Sequence, residues 1–60
     1  MTSAEATAKL LEIGRRLGSG ELDVEEAHLS ADGVLLQLFE SLSMFDVVTA
    51  WSTIRPKYYA

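Results

Sequence analysis

Apolar residues return every three or four positions along this chain, and stretches that alternate as a strand would are nearly missing. Ala6, Leu10, Ile13 and Leu17 recur at steps of four, three and four, which predicts one amphipathic helix over residues 3–17. Thr2 and Glu5 stand in capping-box spacing at its start. Glu5 with Lys9, and Glu12 with Arg16, form i,i+4 pairs on the opposite face. Gly18-Ser19-Gly20 closes it, because glycine enters a left-handed cap without a Cβ penalty.

A second capping box, Asp23 with Glu26, opens a helix predicted over 23–42. Val24, Ala27, Ala31, Val34 or Leu35, Leu38 and Leu42 carry its repeat. Ser30-Ala31-Asp32-Gly33 interrupts the pattern, since an interior glycine costs about 1 kcal/mol relative to alanine. Two readings follow, one long helix or two joined near residues 30–33, and the long form is favoured. The run Val34 to Phe39 is apolar around most of its circumference, as expected of a central helix or one covered by another chain. Ser43 and Asp46 repeat the capping spacing before a last helix predicted over 44–55. Met44, Val47, Trp51 and Ile54 mark its face, with Phe45 and Val48 alongside. Pro56 pushes Arg55 out of helical space and leaves residues 56–60 as a short tail. Val47 to Trp51 has the composition of a strand but no second strand to pair with. The expected fold is all-α: one domain over 1–60, a three-helix or four-helix bundle.

Composition explains why such a bundle is expected to be completed by self-association. A chain of 60 residues buries only about 60% of its unfolded surface, so small domains commonly add a disulfide, a metal or a partner. The chain has no cysteine and one histidine, which removes disulfides and leaves little for a zinc site. With 48% hydrophobic residues, the partner remains, and a homodimer is the simplest one. Leu35, Leu36, Leu38, Phe39, Leu42, Phe45, Val48 and Trp51 are the candidates for combined core and interface.

Nine acids against five cations give a net charge of −4, which argues against nucleic acid as the partner. Glu21, Asp23, Glu25, Glu26 and Asp32 crowd five of the acids into twelve positions. That segment reads either as an acidic docking surface or as complement to the positive end of a helix dipole. Arg55, Lys57, Tyr58 and Tyr59 read as a tail that contacts a partner or folds back on the bundle.

Three other readings are weaker. Arg15, Arg16, Arg55 and Lys57 are the cations available to a dimeric DNA-binding regulator, but no helix presents a base-reading cluster. Glu25 and His28 stand at i,i+3, as in di-iron bundles, yet one chain supplies a single such pair. No nucleophile elbow, phosphate loop or dinucleotide fingerprint occurs, so catalysis and cofactors are not expected. No leader segment or spanning run is apparent either, so the expected setting is cytoplasmic without membrane attachment. The expected function is a small protein–protein interaction module: an accessory subunit, an adaptor or an inhibitor that acts by binding.

Overall fold

The computed structural model describes residues 1–54, and the contact residues expected in the tail, Arg55, Lys57, Tyr58 and Tyr59, lie outside them. The described residues form three helices and no strand: α1 (Ser3–Gly18), α2 (Val24–Ser41) and α3 (Phe45–Ser52). None of them is long and apolar enough to cross a membrane.

α1 begins with the full capping box. The Glu5 amide donates to Thr2 Oγ1 at 3.1 Å, and the Thr2 amide donates back to Glu5 Oε1 at 2.9 Å. It ends in a Schellman turn, in which the Gly20 amide donates to the Leu17 carbonyl and the Glu21 amide to the Arg16 carbonyl. Gly20 takes φ +83°, a conformation that costs glycine nothing. Asp23 then caps α2, accepting from the Glu26 amide at 2.7 Å. α2 runs without a break through Ser30–Gly33. A methyl group on Gly33 would meet nothing within 4 Å, so packing does not require glycine there.

The next turn differs from the sequence expectation. Ser43 does not cap α3; Met44 is the N-cap residue and makes no side-chain cap bond. Ser43 instead ends α2, at φ +61° in a second Schellman turn. Its amide donates to the Glu40 carbonyl, and the Met44 amide donates to the Phe39 carbonyl, each at 2.9 Å. α3 stops at Ser52, short of the expected residue 55, with Thr53 as its C-cap. Ser52 and Thr53 turn their hydroxyls back to the carbonyls of Val48 and Ala50, which favours termination over another turn.

α2 packs against both α1 and α3, while α1 and α3 do not touch. The result is an open layer rather than a closed bundle, with extents of 35 × 30 × 9 Å. Its radius of gyration is 12.4 Å, against roughly 10 Å for a compact chain of this length. The core is correspondingly slight: Ala6, Ala27 and Val34 are the buried hydrophobic residues among those described.

Candidate interaction surface

The surface is organised by α2, whose four sides carry different chemistry. Successive residues of a helix turn by about 100°. Ala27, Ala31, Val34 and Leu38 therefore share the side that meets α1, and all four are buried or half-buried. Asp32, Leu36 and Phe39 share the side toward α3 and are half-buried. Two broad sides remain. One carries Val24, His28, Leu35 and Leu42; the other carries Glu26, Ser30, Gly33, Gln37 and Glu40.

A groove opens between α2 and α3. Its α2 wall is Asp32, Leu35, Leu36 and Phe39, and its α3 wall is Val47, Val48 and Trp51. The groove is half-open with a volume of about 90 Å³, well below the roughly 300–1,000 Å³ of a small-molecule pocket. A second trough lies between α1 and α2, walled by Leu10, Gly14 and Leu17 from α1 and by Ala27, His28 and Ala31 from α2. By helical angle both depressions open on the apolar side of α2. The depression on the other side is walled partly by Lys9, Glu12 and Ser30. That depression is also walled by Ala8, Ile13 and Val34 and is mostly apolar, so the contrast between the two open sides lies on α2 itself, Val24, Leu35 and Leu42 against Glu26, Gln37 and Glu40.

The groove brings together five of the eight candidate interface residues: Leu35, Leu36, Phe39, Val48 and Trp51. Leu38 instead belongs to the stripe that meets α1. Leu42 and Phe45 flank the turn into α3 and remain largely exposed, at 61% and 57%. Val47, expected on the apolar face of the last helix, and Asp32, expected in the acidic segment, line the same groove. The signal was present in the spacing 32, 35, 36, 39, a second stripe rotated from 27, 31, 34, 38 on the same helix.

The acidic segment divides by role. Asp23 is a cap, and Glu21 pairs with Arg15 at 3.2 Å and Arg16 at 3.6 Å across the Schellman turn. Glu25 and Glu26 occupy the first turn of α2, at the positive end of its dipole. Asp32 stands apart, in the groove. The ion pairs on α1 also differ from expectation. Glu12 holds Arg15, with Nη2 at 2.7 Å and Nε bonded to both carboxylate oxygens, while Arg16 turns toward Glu21. Arg15 is therefore engaged by Glu12 and Glu21, and its guanidinium pKa is raised, chiefly by the bond to Glu12.

Titration follows from the same contacts. The Thr2 amide and hydroxyl hold the Glu5 carboxyl below the usual carboxylate range, and the bond to Arg15 does the same for Glu12. Glu26 moves the other way, pushed up by its hydrogen bond to the Asp23 side chain and by that residue's charge. Glu25 and His28 lie one turn apart on α2; among the described residues no group of three or more His, Asp or Glu comes together to hold a metal.

Compared with protein-family models, with curated proteins and with solved structures, the chain gives no match.

Proposed function

We propose that this chain is a non-catalytic protein–protein interaction module that works as a homodimer and binds a further protein, as an accessory subunit, adaptor or occluding inhibitor. One observation carries the reading. The buried hydrophobic residues are two alanines and one valine, whereas nine large apolar side chains among the described residues are exposed. Soluble monomers keep contiguous apolar surface small, and larger patches mark association sites. A three-residue core is also too slight to offset the entropy of ordering the chain, so its fold depends on the surface it covers.

Sedimentation equilibrium over a wide concentration range, with far-UV circular dichroism on the same samples, tests this. The expected result is a helical dimer that loses helicity as it dissociates on dilution. A stably helical monomer at every concentration would overturn the homodimer.

A further inference from the structure

We propose that the second copy packs on the apolar face of the layer, α2 against α2 and antiparallel, about a two-fold axis that passes near Leu35. This deepens the homodimer reading above and rests on it.

Three observations point to that face and that occupant. The first is coverage. Domains are stable when two layers close on one core, and this chain supplies a single layer 9 Å thick. The missing layer must be present whenever the chain is folded, and another copy is the partner whose supply always matches the chain's own. The second is area. The 35 × 30 Å outline bounds the face at roughly 1,000 Å² per copy, so the ~800 Å² that each partner of a standard stable interface contributes requires most of the layer, α1 and α3 included, to be covered. Two apolar depressions flank Leu35 on this side; a third lies on the other side, but there α2 presents Glu26, Gln37 and Glu40 instead of Leu35 and Leu42.

The third is self-complementarity. In an isologous pair, residue i meets residue j and j meets i. With the axis at Leu35, positions equally far before and after it face each other. Ala31 then meets Phe39, a small residue opposite a large one, and His28 meets Leu42. Leu35 meets its own copy. None of these pairings sets like charges together, and the ridge of one α2 has depressions on both sides of the other to fit into.

The absence of native cysteine makes the test direct. Leu35→Cys and Gln37→Cys, on opposite faces of α2, are oxidised mildly in the full chain at equal concentration. Disulfides need Cα atoms within about 7 Å, so Leu35→Cys is expected to form covalent dimer on the order of tenfold faster than Gln37→Cys or more. In parallel, Leu35→Glu is expected to weaken the dimer by roughly 30-fold or more, the loss typical of an interface hot spot, and Gln37→Glu to leave it unchanged. If wild type is dimeric but Gln37→Cys cross-links preferentially, or Leu35→Cys fails to cross-link, this face is wrong and the homodimer stands. A wild-type chain monomeric at all concentrations overturns both.

Discussion

The two junctions of this molecule use the same backbone device with different completeness. Both helix ends, at Ser19 and at Leu42, close in a Schellman turn with matching hydrogen bonds. At the first, Gly20 occupies the left-handed position, Asp23 caps the next helix, and Glu21 reaches back to Arg15 and Arg16. At the second, a serine takes the left-handed position and the next helix starts without a side-chain cap. Burial follows the same order: Ala6 lies on α1, Ala27 and Val34 lie on the α1-facing side of α2, and α3 has no buried residue. The local chemistry of the α1–α2 hairpin agrees with its packing, and such agreement marks the parts of a chain that fold most decisively. The short α3 depends more on what covers it, and its amides should exchange faster than those of α1 and α2.

The largest expected effect strikes the better-built junction. Ala27→Glu puts a charge into the α1–α2 seam and should cost on the order of 3 kcal/mol or more, enough to unfold a small domain. Thr49→Glu, on the exposed surface of α3, should stay within about 0.5 kcal/mol of wild type. Thermal melts followed at 222 nm compare them, and equal melting temperatures would erase the contrast.

A smaller effect exchanges the two turns. Gly20→Ala should destabilise by about 1 kcal/mol, since a Cβ is strained at that φ, and Ser43→Gly should stabilise by a similar amount. Urea titrations at one fixed protein concentration measure both, because the stability of a chain that dimerises, as proposed above, would depend on concentration. A neutral Ser43→Gly would mean that the serine is not strained in its turn.

The smallest effect is electrostatic and depends on pH. Glu26 has a raised folded-state pKa, so its protonated form is favoured by folding. Its stabilising contribution is complete below the unfolded pKa and is lost as pH rises through the folded one. Glu26→Gln should therefore raise stability at pH 7 and lose that advantage in the acid range. Glu5 and Glu12 have lowered pKa values and act in the opposite sense, their contributions being lost as pH falls through the folded values. A pH series of melts on wild type and Glu26→Gln checks the sign; an advantage that persists in acid would contradict it.

What could be read from sequence tracks these same regions. The stripe Ala6, Leu10, Ile13, Leu17 and the caps at Thr2 and Asp23 were legible because periodicity, capping chemistry and turn glycines coincide there. Ser43 reads as an N-cap because serine favours that position, whereas the chain's path puts it at φ +61° in a left-handed turn that glycine would normally fill. Glu12 is held by Arg15 at i,i+3 rather than by Arg16, and the Schellman turn brings Glu21 back to both arginines, at 3.2 and 3.6 Å, a pairing across the turn that i,i+4 counting does not see. The groove was half legible: Leu35, Leu36, Phe39, Val48 and Trp51 were marked by hydrophobicity, but Leu38 was assigned with them because α2 carries two stripes close together. Leu42 continues the α2 repeat and Phe45 adjoins the α3 face in sequence, yet both stay largely exposed because α2 ends at Ser41 and α3 starts only at Phe45.

The thinness of the layer has a consequence for how the molecule can be altered. With almost no interior, nearly every side chain reports to one side or the other. Changes around Gln37 and Glu40 act on hydration and colloidal behaviour, while changes around Leu35 and Phe39 act on the apolar surface and, in the homodimer proposed above, on pairing. The two properties can then be tuned separately by choosing a side of the sheet of helices, a freedom that a closed bundle of the same length would not have.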